Sequence, residues 1–215
     1  MTDEQKPQDE NHIIATRREK LERLRAAGQA FPNTWRRDTL ADALHARYGA
    51  LETSEAVEAA SVRHVLAGRL IAKRVMGKAS FAQIQDMSGR IQTFVQNDAV
   101  GLDRYAECKT WDVGDIIGVA GTMFRTKTGE LSIKADHVEL LVKTLRPLPE
   151  KWAGLTDTEI RYRQRYVDLI VNPDVRRTFQ IRAGTVRSIR LTLDNLGFVE
   201  VETPMLQPLA GGATA

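Results

Sequence analysis

The feature that most constrains this chain is a run of five strand-like segments between residues 61 and 145, each cut from the next by a turn signal. Val62–Val75, Ser80–Met87, Arg90–Asn97, Asp115–Thr126 and Glu130–Val142 alternate apolar and polar residues with period two. Gly68, Gly77, Ser88-Gly89, Gly114 and Thr128-Gly129 punctuate them. Between the third and fourth segments lies "GLDRYAECKTW", Gly101–Trp111, long enough for a short helix. Three strands, a helix and two strands is the order of an OB-fold, a small Greek-key barrel that binds oligonucleotides or oligosaccharides. Another five-stranded barrel would give a similar string.

The flanks read as helical. Residues 1–10 are polar and expected to be a disordered tail. From Asn11 to about Gly28, Ile13, Ile14, Leu21 and Leu24 repeat near helical spacing, and a second helical piece runs from Thr39 to Tyr48. Residues 11–60 therefore form a helical extension, 61–145 the barrel and 146–160 a connector with Pro147, Pro149 and Gly154. Thr156 and Glu159 have capping-box spacing for a helix carrying "RYRQRYVDLI". A further helix follows Pro173, with Val186, Ile189, Leu193 and Leu196 on one face and an end marked by Asn195 and Gly197. "FVEVET" reads as a strand stopped by Pro204.

Charge and cysteine content narrow the function classes. The net charge is only +3, but residues 161–190 hold eight arginines against Asp168 and Asp174, which fits either a polyanionic partner or a solvated helix face. Cys108 stands alone, which excludes a disulfide framework or cysteine metal cluster and suits a reducing, cytoplasmic setting. His12, His45, His64 and His137 lack metal-ligand spacing, and no membrane-length apolar run or signal peptide is expected. Gly77-Lys78 resembles the end of a phosphate loop but lacks the preceding glycine and the Ser/Thr.

Alternation assigns faces within the barrel. Leu66, Leu70 and Ala72 point inward, as do Ala82 and Ile84, Ile91 and Val95, and Leu131 and Ile133. Arg69, Lys73, Phe81, Gln92 and Glu130 then emerge outside. A single-stranded nucleic acid needs an aromatic platform, cations near phosphate, and amide or carboxylate groups that read a base edge. Phe81 supplies the platform, Gln92 donates and accepts, and Glu130 accepts. The alternative is a Phe81 covered by the 101–111 helix or the N-terminal segment.

The quoted stretches "GKASFAQIQDMSGRIQTFV", "WDVGDIIGVAG", "FRTKTGELSI", "LRPLPEKWAGL", "RYRQRYVDLI" and "GFVEVETPML…GGA" together resemble bacterial lysyl-tRNA synthetases, class II enzymes, from about Asn11 to Ala215. The resemblance implies an α+β chain: a helical extension, an OB-fold, and the truncated start of a class II catalytic domain over 161–215. It implies that Arg69, Phe81, Gln92 and Glu130 bind the anticodon of tRNA(Lys), Phe81 stacking on the central uridine. "LDNLGFVEVETPM" looks like class II motif 1, so that Gly197, Phe198 and Pro204 would belong to a homodimer interface, and Gly211 and Gly212 match the border of the lysine pocket. ATP and Mg are implied for the full-length enzyme, with no catalytic residue, cofactor site or metal site expected in this chain. The matching motifs stop before the ATP-clamping arginines, so the chain is expected to be a fragment, inactive in aminoacylation by itself. A non-enzymatic OB-fold protein that binds single-stranded nucleic acid, or a barrel used for protein contacts, would share the barrel without the anticodon preference.

Overall fold

The computed structural model describes residues 5–28, 30–149 and 155–204, with side chains from residue 11 onward. The chain divides into two compact units, Met1–Leu148 and Pro149–Ala215.

The first unit is built on five strands: β1 (His64–Met76), β2 (Ala79–Gln85), β3 (Arg90–Gln96), β4 (Ile116–Arg125) and β5 (Leu131–Val142). They close into a barrel in the order β1-β2-β3-β5-β4, with β4 returning to β1 and only the β3–β5 pair parallel. Helices α1 (Gln5–Ala26), α2 (Ala41–Tyr48), α3 (Ser54–Ala60), α4 (Asn97–Val100) and α5 (Leu102–Thr110) surround it. Five strands with period-two burial give one interior, where Leu66, Leu70, Ile84, Ile91, Ile117, Val119, Met123, Ile133 and Val138 are buried. Tyr48 and Val57 from α2 and α3, and Tyr105, Cys108 and Trp111 from α5, join the same core.

The barrel's register shifts at three places, two of which bear on the wall described below. In β1 the pairing with β2 steps from Leu70↔Ile84 to Ala72↔Gln83, leaving Ile71 as an extra residue in a β-bulge. In the β4–β5 pair the register shifts between Ala120 and Gly121, where a Cβ would lie 2.0 Å from the Lys134 carbonyl oxygen, so only glycine fits. The first bulge overturns part of the face assignment. Beyond it the phase reverses: Ala72, expected in the core, pairs with outward Gln83, and Lys73, expected outside, pairs with inward Ala82.

Helix α1 begins at Gln5, so part of the segment expected to lack structure is helical. It docks on the barrel through polar groups. Lys20 bridges to Asp112 at 2.8 Å, and Lys143 bridges to Asp112 and Asp115 at 2.7 Å each, with Lys143 and Asp115 almost fully buried. Asp115 also accepts from the Thr144 and Asp112 N–H groups, so its buried charge is fully partnered. Burial alone would raise the Asp112 carboxyl, but bonds from Lys143 and Lys20 outweigh it and hold its pKa below the usual carboxylate range.

Helix α2 has no side-chain cap of its own at Leu40. The β2–β3 turn supplies one: Asp86 Oδ2 accepts from Ala41 N at 2.7 Å, and Ser88 Oγ from Asp42 N at 3.0 Å. Asp86 Oδ1 also accepts from the N–H groups of Ser88 and Gly89. These bonds overcome the upward push of burial and keep the Asp86 pKa low. The short α3 was not anticipated; Val57 is its one buried residue, and Thr53 caps it by accepting from Ala56 N.

The second unit holds α6 (Thr158–Arg163), α7 (Arg165–Val171) and α8 (Pro173–Asn195). The expected continuous helix over "RYRQRYVDLI" is broken at Gln164, whose φ of −115° and ψ of 53° leave the helical region. Its cap is Asp157, which accepts from Ile160 N, in place of the anticipated Thr156/Glu159 box. Buried Asp168 gathers Arg161, Arg165 and Asn172 around one carboxylate. No strand forms over 198–203; among the described residues that segment has no ladder partner, without which an extended chain is not a strand.

Candidate nucleic-acid interface

Part of the barrel's outer surface is covered by the chain's own N-terminal segment. The segment between α1 and α2 lays Trp35 against Gly118 of β4, where a Cβ would come within 2.4 Å of the indole. Trp35 Nε1 donates to Leu66 O at 3.0 Å, and its ring stacks on His137 with centroids 5.8 Å apart. Asp38 fastens the same segment to Val65 in both directions, its N–H to Val65 O and its carboxylate to Val65 N. The wall made by the outer faces of β1, β2 and β3, the start of β5 and the end of β4 carries the remaining candidates.

Cross-strand partners share a face, so the register sorts the candidates into transverse rows. The first runs Ile116–Arg69–Gln85–Arg90. The second runs Ala72–Gln83–Gln92–Ser132–Phe124. The third runs Arg74–Phe81–Phe94–Lys134–Thr122.

Phe81 therefore lies on the outer face, partly buried, with Phe94 directly opposite at a ring-centroid distance of 4.7 Å. Phe124 stands 5.7 Å beyond Phe94. Tilted pairs at these distances are the favoured aromatic arrangement, so Phe81 is braced from one side by two further rings. The α5 helix does not cover it: Tyr105 of α5 instead bonds inward-facing Ser80 and Gly77 O.

Gln92 sits one row from Phe81, on the same face. Its Nε2 donates to Ser132 Oγ at 2.9 Å, and Ser132 in turn donates to Glu130 O at 3.3 Å. That bond fixes the amide plane while its second N–H and its carbonyl stay available. Glu130 is exposed, immediately before β5, at the end of a turn closed by Thr126: Thr126 N donates to Glu130 O, and Glu130 N to Thr126 Oγ1. Arg125 ties the base of this turn to the helical extension by donating to Gly129 O, Leu51 O and Gly49 O.

The cations are arranged differently from the sequence expectation. Arg69 is on the outer face but two rows from Phe81, and its guanidinium donates to Gly114 O at 2.7 Å, where burial lowers its pKa. Lys73 is turned inside. Its ammonium donates to the carbonyls of Cys108, Lys109 and Trp111 at 3.3, 3.0 and 2.5 Å, closing the C-terminus of α5. Phe81's own row holds two exposed cations, Lys134, placed outside by alternation, and Arg74 on β1. Sequence reasoning passed over Arg74 because the bulge at Ile71 is what brings it outside.

An aromatic platform, an oriented amide, a carboxylate and a free guanidinium on one wall can hold a base by its face, read its edge and neutralise its phosphate. Among the described residues no group of three or more His, Cys, Asp or Glu is placed to hold a metal ion.

The other candidates lie in the second unit. Gly197 takes φ +85°, the left-handed conformation of a helix-ending glycine, directly after α8. Phe198 is 63% exposed, and Pro204 is the last described residue. Gly211 and Gly212 lie outside the described residues.

Two family models match the chain: an OB-fold nucleic acid binding domain over residues 64–141, and class II tRNA synthetases (D, K and N) over residues 157–215. Similar proteins named lysine–tRNA ligase include that of Thioalkalivibrio sulfidiphilus, 57% identical over 215 residues, all of this chain and 43% of the relative. That of an Azoarcus species is 58% identical over 208 residues, 97% of this chain and 41% of the relative. That of Xanthomonas campestris pv. campestris is 57% identical over 213 residues, 98% and 42% respectively. The chain thus spans about two fifths of the length of the curated relatives it matches.

Proposed function

The chain belongs with the lysine–tRNA ligases, and from that premise we propose that its barrel binds the anticodon of a lysine tRNA. The observation that carries this reading is the shared wall: Phe81 braced by Phe94, Gln92 held by Ser132, and Arg74 at the end of the same row. A uracil presents an N–H donor between two carbonyl acceptors. On the ring of Phe81 it would offer that N–H to the Glu130 carboxylate or the Gln92 carbonyl, and a carbonyl to the Gln92 amide. A cytosine reverses two of these three positions, with an acceptor at N3 and an amine donor at C4, so that acceptor would face acceptor and donor would face donor and the reading groups would lose their partners on binding.

The whole protein would condense lysine with ATP, releasing pyrophosphate, and pass the lysyl group from the adenylate to tRNA. That chemistry rests on charge stabilisation around the α-phosphate, to which Mg contributes. No step of it is assigned to the described residues 155–204, which hold no metal-binding cluster. Here α8 contributes structure: Ile189, Leu193 and Leu196 are exposed on it, an apolar strip suited to a second copy of the chain, continued by Gly197, Phe198 and Pro204. The setting is the cytoplasm; no described helix is long and apolar enough to cross a membrane.

The test is binding of an anticodon stem-loop carrying UUU against one changed to UCU. Preference for UUU supports the reading. Equal binding would leave a single-strand-binding barrel without anticodon preference, and no binding to either would leave a protein-contact barrel.

A further inference from the structure

The third row on the open wall has cations at both ends. Phe81 and Phe94 face each other in its middle, with Arg74 before them and Lys134 after. Arg74 and Lys134 are both exposed, and neither makes an ion pair among the described residues. The other strand cations near this wall are committed elsewhere. Arg69 is bonded to Gly114 O, Lys73 is turned onto the α5 carbonyls, and Arg90 Nε donates to Gln85 Oε1 at 2.7 Å.

Neighbouring strands lie about 4.8 Å apart, so the three gaps from β1 to β5 set Arg74 and Lys134 about 14 Å apart across two rings. A path along β2 instead passes Gln83 and Gln85 and reaches the Asp86 carboxylate, whose low pKa keeps it ionised and repellent to phosphate. A phosphate facing a Lys or Arg releases its counterions and binds more tightly, whereas ring faces accept any base. Thr122, exposed opposite Lys134, adds a hydroxyl at the same end of the row.

We propose that Arg74 and Lys134 are the phosphate-holding cations of this wall: along the row Arg74–Phe81–Phe94–Lys134, Lys134 holds a phosphate on the far side of the stacked base from Arg74. This path rests on the reading that Phe81 stacks an anticodon base.

Fluorescence anisotropy of the whole chain with a labelled UUU stem-loop, over about 50 to 200 mM salt, tests it. Neutralising one phosphate contact lowers the slope of log affinity against log salt by about 0.7 to 0.9. Lys134→Gln is expected to do this and to weaken UUU and UCU loops by the same factor. Arg74→Gln is expected to do the same, the two effects adding, while Lys109→Gln on α5 leaves the slope unchanged. A normal slope in Lys134→Gln, alongside weakened binding in Phe81→Ala, overturns the path and leaves the anticodon reading standing. A Lys134→Gln loss confined to UUU overturns the phosphate role, because it would place the lysine on a base. Failure of the unsubstituted chain to bind either loop overturns the anticodon reading and the path with it.

Discussion

Replacing Lys73 by Met separates the register of β1 from the simple alternation of its sequence. If Lys73 faced the RNA, losing its charge would flatten the salt dependence of binding and leave the fold alone. In the structure its ammonium instead meets three backbone carbonyls at the end of α5. Methionine keeps the unbranched stem and removes the donor, so these carbonyls lose a charged partner. Hydrogen bonds to a charged group contribute about 1.5–3 kcal/mol each, but burial of the ammonium offsets part of this, as its lowered pKa indicates. Trp111 N–H still serves the Cys108 carbonyl, so the loss falls mainly on the other two. The net cost is about 2–4 kcal/mol, and at 2–4 °C per kcal/mol for a domain of this size the melting temperature falls by about 5–15 °C. Thermal unfolding followed by circular dichroism measures the first quantity, and anisotropy at several salt concentrations the second. Lys73→Arg, which retains the charge, is expected to recover part of the lost stability. A Lys73→Met chain with an unchanged melting temperature and a flattened salt slope would refute the inward assignment and the bulge with it.

Phe81→Ala should weaken UUU stem-loop binding by about 1–3 kcal/mol, the scale of one base–aromatic stack, without altering the salt slope; titration by anisotropy reads both. Phe81→Leu, which keeps apolar contact with Phe94 but offers no ring face, should bind nearly as weakly yet melt closer to the unsubstituted chain. Gly118→Ala places a methyl group inside the Trp35 ring and should destabilise the first unit by about 1–3 kcal/mol, with faster proteolysis of residues 30–40. Asp86 and Asp112 have folded pKa values below their usual 3.8, so each stabilises the fold fully above that pH and loses the contribution as pH falls through its folded value. The melting temperature should accordingly drop as the pH is taken below about 4, and Asp86→Asn should make that drop shallower.

The strands were legible because a surface that is half buried writes period two into the sequence, and all five segments lie within a few residues of their expected bounds. The outward placement of Phe81 and Gln92 followed from the same alternation, since neither β2 nor β3 contains a bulge. Arg74 was hidden for a local reason. Leu70, Ile71 and Ala72 are three apolar residues in succession, and alternation carries no phase across them. The Phe94–Phe124 brace needed the pairing of β3 with β5 and of β5 with β4, contacts between distant parts of the chain that no single segment encodes. Helix α3 left little trace because one buried valine makes no periodicity. The break at Gln164 carries no glycine or proline to mark it in "RYRQRYVDLI", and it is the fold that shows Asp168 holding Arg161 and Arg165 from the two sides of the break.

The extra residue at Ile71 also sets what kinds of genetic change this strand can absorb. Substitutions on either side of it act one side chain at a time, and conservative ones should be well tolerated. Loss of the Ile71 codon removes the extra residue alone: Leu70↔Ile84 is then followed directly by Ala72↔Gln83, and Lys73 stays inside and Arg74 outside. The segment can therefore shorten by that one residue without changing which side chains face the wall, and a deletion scan through residues 69–76 should show its greatest tolerance at Ile71.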